Sequence, residues 1–369
     1  MNDRPTFDPF ERRLAAEFER FVQPAIDPKP IHEIAEAAMR PRDLVVRARN
    51  LSRPRRLLLL GIAAALLVPA TYIGASLLRP PTPLPVLALS RIQVGEPAAP
   101  RWFAADGQSL WVHEPTSLVR VDLATSAVTG TAPLNAMQYG YVATGAGAVW
   151  QTDWANDVLV KIDPVTGKTL ASIPVGSAPS GVAVTEGSVW VADQHSGTVS
   201  RIDPATNKVI ATIALGPVED SGPQIMAAGP GGVWVGLQNT GENVRIDAAT
   251  NTVGLRVPLD GPVASDGTQV WIGAEAVGRK GLSQVVRIDP VSGEAITTVD
   301  LATQGICGLA VGLGSVWVAD GGLTRIDEAT GRIVGRLDLG GDCGNVTVAG
   351  GAVWVTADGQ PYVLRISPT

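Results

Sequence analysis

The sequence is poor in the residues that most often build catalytic and metal sites. Only two cysteines and three histidines occur among its 369 residues. Two cysteines are too few for a disulfide framework or a cysteine-based zinc site, and the histidines do not have metal-ligand spacing. There is also no phosphate-binding glycine loop, nucleophile elbow or catalytic-triad spacing. The sequence therefore predicts neither a cofactor nor a metal ion.

The larger part of the chain also lacks an excess of positive charge. Residues 80–369 contain 16 Lys and Arg against 26 Asp and Glu, a net charge of about −10. Nucleic-acid binding depends on a basic surface that neutralises phosphates. Nucleic acid is therefore not expected as a partner of this part of the chain.

One long uncharged run is present, from Leu57 to Leu78. As a helix these 22 residues would span about 33 Å, enough to cross the hydrocarbon core of a bilayer. Five arginines lie between residues 47 and 56, whereas only Arg79 follows closely. Because positive charge stays on the cytoplasmic side, we predict a single-pass helix at 57–78 in the cytoplasmic membrane, with residues 1–56 inside the cell and the rest outside. A cleaved signal peptide is the alternative, which the 56-residue leader disfavours.

The segments on either side of the predicted membrane helix are short. Residues 1–56 are predicted to form a helical region, because large apolar residues recur at steps of three and four from Phe7 to Phe21. This region is interpreted either as an amphipathic membrane flank or as a docking helix for a cytoplasmic partner. The proline-rich linker at 79–85 is predicted to be a stiff spacer of about 20 Å.

A tryptophan-centred phrase, Gly187-Ser-Val-Trp-Val-Ala-Asp193, recurs through the remaining sequence. Seven of the nine tryptophans fall in it, at spacings of 39, 40, 44, 37, 46 and 37 residues. A period of about 40 with several short strands per unit is typical of propeller blades. The repeated tryptophans are predicted to fill the space between blades: Trp111, Trp150, Trp190, Trp234, Trp271, Trp317 and Trp354.

A second phrase, such as Arg201-Ile-Asp203 followed by Pro-Ala-Thr-Asn, follows each tryptophan phrase. Aspartate caps such a turn, proline presets its backbone, and glycine or asparagine accepts a positive φ. Each unit is thus predicted to hold four strands, A to D; in the third unit they cover about 180–185, 188–193, 198–203 and 208–214. The repeated Arg or Lys and Asp are interpreted as framework residues.

The seventh unit ends at Thr369 without a fourth strand. Residues 86–94 resemble a strand D, since Val86-Leu-Ala-Leu-Ser-Arg-Ile-Gln-Val-Gly95 matches Lys168-Thr-Leu-Ala-Ser-Ile-Pro-Val-Gly176. We therefore predict an all-β fold at 86–369, a seven-bladed β-propeller closed by its N-terminal strand. Because the linker enters where strand D begins, the rim that carries the Asp-Pro turns is predicted to face the membrane.

The Gly-x-Val-Trp-Val-Ala-Asp and Arg-Ile-Asp-Pro-x-Thr-Gly phrases resemble the YVTN/YncE-like bacterial propellers, which are related to virginiamycin B (streptogramin) lyase-like propellers. The resemblance covers about residues 86–369 and implies an extracytoplasmic ring with ligands at the top of the central channel. Lyase-type blades often carry Pro-His-Gly before strand A, and the resemblance implies chemistry that uses a histidine and a glutamate there. This chain has Pro179-Ser-Gly181, Ile306-Cys-Gly308 and Asp342-Cys-Gly344 at matching places.

Two sets of residues are predicted to surround the channel mouth. The first set leads into strand A: Tyr139, Ser180, Gln224, Cys307 and Cys343. The second set follows strand B: Glu114, Asp153, Trp154, Asp193, His195 and Asp320. The carboxylates are interpreted either as ligands for a cation or a basic or sugar-like molecule, or as caps of their own turns. Trp154 and Tyr139 break the repeat and are therefore ligand candidates.

The predicted function is a membrane-anchored, extracytoplasmic propeller that binds a small molecule or protein at the channel mouth without catalysis. The candidate ligand-binding residues are Tyr139, Asp153, Trp154, Asp193, His195, Gln224 and Asp320. The alternative is a lyase- or lactonase-like enzyme with its site at the same mouth, for which the weak catalytic candidates are His195 with Asp193 and His113 with Glu114. Cys307 and Cys343 occupy matching places in adjacent blades, and a disulfide between them is an open possibility.

Overall fold

The computed structural model describes residues 86–95, 102–134, 140–217, 221–276, 281–339, 344–356 and 360–368. These residues form seven antiparallel sheets of four strands each. No helix in these ranges is long and apolar enough to cross a membrane. The predicted cytoplasmic segment, membrane helix and linker at 1–56, 57–78 and 79–85 lie outside the described residues.

Each sheet is one blade with its strands in the order A, B, C, D. The A strands are β2 Phe103–Ala105, β6 Val142–Gly145, β10 Pro179–Thr185, β14 Pro223–Gly229, β18 Val263–Ser265, β22 Gly308–Gly312 and β26 Val346–Ala349. The B strands are β3 Ser109–Glu114, β7 Ala148–Asp153, β11 Ser188–Asp193, β15 Gly232–Leu237, β19 Val270–Glu275, β23 Ser315–Ala319 and β27 Ala352–Thr356.

The outer half of each blade consists of strands C and D. The C strands are β4 Ser117–Asp122, β8 Val158–Ile162, β12 Thr198–Asp203, β16 Glu242–Asp247, β20 Ser283–Ile288, β24 Gly322–Asp327 and β28 Tyr362–Pro368. The D strands of blades 1 to 6 are β5 Val128–Pro133, β9 Thr169–Pro174, β13 Lys208–Ala214, β17 Thr252–Val257, β21 Ala295–Leu301 and β25 Ile333–Asp338. Each A strand contacts the A strands of both neighbouring blades, so the seven blades form a closed ring.

Blade 3 shows how the repeated phrases build a blade. Strands A and B meet in a turn where Gly187 has a φ of +72°, a conformation that favours glycine. The turn between strands C and D is capped by Asp203, which accepts a hydrogen bond from the Ala205 N–H at 2.9 Å. Asn207 then takes a φ of +55°. The four strands predicted for this blade are confirmed to within one residue at each end.

Blade 7 takes its outer strand from the N-terminal side of the propeller. Strand β1, Val86–Gln93, pairs antiparallel with β28, and Leu89 lies opposite Ile366. Ile92 and Val94 are buried. The predicted closure of the seventh blade by residues 86–94 is therefore confirmed, and it removes an open sheet edge.

The repeated tryptophans are almost completely buried and lie between blades. Trp190 has no exposed surface and packs against Val233 and Val235 of the next blade. Arg201 lies over the Trp190 ring at 4.7 Å and donates a hydrogen bond to the Ala248 carbonyl of blade 4 at 2.7 Å. The core thus consists of seven clusters, each shared by two adjacent blades. The predicted framework role of the tryptophans agrees with this packing.

The two ends of the ring differ in the chain segments that form them. Because the strands are antiparallel, the A–B and C–D turns lie at one end, here called the bottom rim. The B–C turns and the D-to-A connections lie at the other end, here called the top rim. Val86 pairs with Pro368, the last residue of a C strand, so the chain enters the propeller at the bottom rim.

Candidate functional site on the top rim

A stacked aromatic pair joins blades 1 and 2 at the top rim. Trp102 and Tyr141 each lead into an A strand, and their ring centroids are 3.9 Å apart at an interplanar angle of 28°. The backbone N–H of Tyr141 donates to Thr152 Oγ1 at 2.9 Å, which fixes the tyrosine against strand β7. Burial raises the pKa of the Tyr141 phenol, so this group stays protonated.

A second aromatic pair joins blades 2 and 3. Trp154 lies in the B–C turn of blade 2, and its ring meets the His195 ring of blade 3 edge-on, with centroids 5.5 Å apart and an angle of 74°. His195 is exposed, and Trp154 is 38% exposed. The structure therefore brings together two of the residues that the sequence nominated for ligand binding.

Two of the nominated carboxylates are bound inside their own blades. Asp193 has no exposed surface. Its oxygens accept hydrogen bonds from the Thr198 and Ser200 hydroxyls at 2.9 and 2.7 Å and from the Gly176 N–H. Asp320 is similarly buried and forms a salt bridge of 2.6 Å with Arg336. These contacts favour the capping interpretation over an open carboxylate ring.

Asp153 also caps its own turn, but it borders a cleft. Its Oδ2 accepts a hydrogen bond from the Asn156 side-chain amide at 2.7 Å. Together with Leu134 and Val158 these residues line a cleft of about 380 Å³ between blades 1 and 2. A second cleft of about 330 Å³ includes Glu275 and lies at the top of blade 5, beside the connection to blade 6.

The proposed acid–base pairs are not assembled by this geometry. His113 and Glu114 are consecutive in strand β3, and successive strand residues point to opposite faces. Both are buried, at 4% and 5% exposure. Asp193 is engaged by its own blade and not by the exposed His195 ring. Neither pair presents an acid and a base to a common ligand position.

Glu114 is a buried carboxyl beside the closing strand. A Cβ added to Gly95, just after β1, would lie 2.5 Å from Glu114 Oε2. The other oxygen, Oε1, has no hydrogen-bond partner among the described residues. Asp193 is the equivalent residue of blade 3, and it contacts Gly176 in the same way. Asp193 also accepts a hydrogen bond from the Ser200 hydroxyl, whereas blade 1 has Val119 at that position and offers no hydroxyl there. Glu114 therefore bears an uncompensated burial cost when ionised.

Replacement of Glu114 by glutamine is expected to remove a pH dependence of stability. Burial raises the pKa of Glu114 from 4.5 to about 7. Between these values the folded state holds a proton that the unfolded state releases, so stability falls as pH rises through this window. The change amounts to roughly 3 kcal/mol at most, and E114Q should recover it at pH 8. Urea unfolding at pH 5 and pH 8 measures this.

The exposed Glu186 supplies the matched control for this experiment. E186Q should keep the wild-type loss of stability between pH 5 and pH 8. Burial also raises the pKa of Asp193 to about 6, so any slope left in E114Q should lie below that pH. A wild-type protein equally stable at both pH values would contradict the prediction.

The remaining nominated residues lie near the starts of the A strands. Ser180 Oγ donates to the Pro223 carbonyl at 2.9 Å and so links blades 3 and 4, next to Gln224 in β14. Cys307 is disulfide-bonded. Tyr139 and Cys343 lie outside the described residues. Within the described ranges no three His, Cys, Asp or Glu side chains are grouped to hold a metal ion.

Sequence reasoning missed Trp102 and Tyr141, although one signal was available. Trp102 is, with Trp154, one of the two tryptophans outside the repeated phrase. Both off-repeat tryptophans take part in aromatic pairs on the top rim of blades 1 to 3. An aromatic residue that departs from the repeat was therefore the useful signal, and applying it to both tryptophans would have found the first pair.

Comparison with known proteins gives structural similarity only. No protein-family model and no curated protein matches the sequence. A streptogramin B lyase structure is similar with a TM-score of 0.62 and 16% identity, over 76% of this chain and 98% of that one. Virginiamycin B lyase from Staphylococcus aureus is similar with a TM-score of 0.62 and 15% identity, over 76% of this chain and 99% of that one. Hydrazine synthase from Kuenenia stuttgartiensis is similar with a TM-score of 0.62 and 16% identity, over 73% of this chain and 96% of that one. These likenesses establish the propeller fold.

Proposed function

We propose that this protein is a membrane-anchored, extracytoplasmic β-propeller that binds a neutral or basic ligand, such as a glycan, on the top rim of blades 1 to 3. The observation that carries the proposal is the exposed Trp154 ring held against His195. A partly exposed aromatic ring offers a flat apolar surface, and the imidazole beside it adds a polar edge. The acidic charge of residues 80–369 disfavours strongly anionic ligands.

The membrane part of the proposal rests on the sequence. The uncharged run at 57–78 is long enough for a bilayer, and five arginines precede it. Protease digestion of intact cells tests the orientation. The propeller should be cleaved from outside, while a tag at the N-terminus should be protected.

Trp154→Ala is expected to weaken ligand binding about tenfold, because a central aromatic contact typically contributes more than 1 kcal/mol. The probe is the N-acetylglucosamine tetramer, and the measurement is isothermal titration calorimetry on the full chain in mild detergent. Val165→Ala is the matched control, since Val165 is exposed on the bottom rim. A wild-type chain that does not bind the tetramer would exclude this glycan. Equal binding by W154A would exclude Trp154 as the contact.

The second candidate function is a lyase-like enzyme with its site on the same rim. It is favoured by the similarity to two lyase structures over almost their whole length. His195 is the exposed group available for proton transfer. Incubation with virginiamycin B, followed by liquid chromatography and mass spectrometry, separates the candidates. Conversion by wild type that is lost in His195→Ala would support the enzyme, and no conversion by wild type would exclude virginiamycin B as its substrate.

A further inference from the structure

We propose that the bottom rim is a lipid-contacting surface, which rests on the bilayer through exposed aliphatic side chains. This inference rests on the membrane anchor of the proposed function and adds a second contact between the propeller and the membrane. It concerns the end of the ring opposite the aromatic pairs.

Among the described residues, exposed large apolar side chains are concentrated at one end of the propeller. Ten are exposed among the described residues, and Trp154 alone of these ten lies on the top rim. The other nine lie in the A–B or C–D hairpin ends of the bottom rim: Val128, Val165, Leu170, Val209, Ile210, Val291, Ile296, Leu313 and Ile333. They come from blades 1, 2, 3, 5 and 6, so they are distributed around the rim.

The fold does not account for these side chains. Val165 and Val291 follow the proline in the tips of C–D turns and are 78% and 79% exposed. Leu170, Ile210 and Ile296 lie at the starts of outer strands and are more than half exposed. Exposed aliphatic groups contribute little to folding, and single ones are ordinary on a protein surface. The observation that points to an interaction surface is that nine of the ten share one end of the ring.

The path of the chain identifies lipid as the occupant. Val86 pairs with the end of strand β28, so the sequence that precedes it joins the propeller at this same rim. The seven residues 79–85 can span at most about 25 Å, and the uncharged run 57–78 lies directly before them. A membrane-spanning segment at 57–78 would therefore hold the rim close to the lipid surface.

The charges on the rim do not favour attraction to anionic lipid. Exposed Lys168 and Lys208 lie beside Leu170 and Val209, where their stems can lie along the lipid surface with the ammonium groups in water. Six capping aspartates lie in the same turns, and hydrogen bonds from turn residues lower the pKa of each carboxyl: Asp122, Asp163, Asp203, Asp247, Asp289 and Asp327. They remain ionised, so the rim carries both signs of charge.

The test places an environment-sensitive fluorophore on the rim of the full chain reconstituted into phosphatidylcholine vesicles with brominated acyl chains. Val165→Cys and Val291→Cys carry the probe, and Thr116→Cys in a B–C turn of the top rim is the matched control. Aliphatic groups at an interface reach the headgroup–acyl boundary, so quenching at 165 and 291 should be about twofold stronger than at 116. The result should be unchanged when a fifth of the lipid is replaced by phosphatidylglycerol. The unsubstituted chain measures background labelling.

The outcomes separate this inference from the anchor on which it rests. Equal, weak quenching at all three positions on a chain that floats with the vesicles would overturn the rim contact and leave the anchor intact. A chain that does not float would overturn both. Probes at 165 and 291 that are shielded from aqueous iodide but not quenched by brominated lipid would mean that protein, a partner or a second copy, covers the rim.

Discussion

A chain that begins at residue 98, and so lacks strand β1, is expected not to form a stable propeller. Strand β1 pairs along the whole of β28, and its loss leaves the outer edge of blade 7 open. It also removes Leu89, Ile92 and Val94 from the clusters on both sides of that blade. Burial of these side chains contributes roughly 5 kcal/mol, comparable with the 5–15 kcal/mol that stabilises a typical domain. Circular dichroism and urea unfolding measure the loss.

Two control chains make the cause of this loss specific. A chain that begins at residue 82 keeps the strand and should unfold like the propeller of the full chain. A third chain begins at residue 98 and carries residues 86–95 after Thr369, joined through a copy of the Asp327–Gly331 turn. Because that turn joins β24 to β25, it should return the strand to its place and restore stability. Failure of the third chain to fold, or folding of the chain without the strand, would contradict the closure mechanism.

This closure was predictable because it depends on local pattern. The spacing of seven tryptophans determines the number of blades, and the alternating residues after each Asp-Pro turn indicate the D strand. The lack of a fourth strand after β28, Tyr362–Pro368, and the extra strand at 86–93 are two observations with one explanation. In a closed ring each blade packs against its two neighbours. Once the repeat has been recognised in the sequence, most contacts of the core therefore follow from it.

The candidate site was less predictable because it depends on side-chain direction in turns. Asp193 and Asp320 were correctly placed at the ends of B strands, yet their carboxylates turn into their own blades. The donors include Ser200 and Thr324 on the C strands. The other five blades have valine or leucine at this position of the repeat, so the sequence marks the two hydroxyls but not the direction in which the carboxylates turn. The pairing of Trp154 with His195 depends on the relation of two B–C turns from different blades. The repeat in the sequence does not show that these two turns lie close together.

Trp190→Ala is expected to destabilise the propeller by about 3–5 kcal/mol, because it removes a large buried side chain and leaves a cavity between two blades. Trp190 has no exposed surface and packs against the valines of blade 4. The change also removes the ring beneath Arg201, whose guanidinium bridges to the turn of blade 4. Urea unfolding of the full chain in mild detergent, followed by circular dichroism, gives the free energy.

Trp154→Ala is the matched control, because it removes the same side chain from a position that is 38% exposed. Surface substitutions of this kind cost less than about 1 kcal/mol. The two variants should therefore affect different properties. W190A should lose stability, whereas W154A should keep its stability and lose ligand affinity. Equal destabilisation by both would mean that Trp154 belongs to the framework of the ring, and the aromatic pair on the top rim would then no longer indicate a binding site.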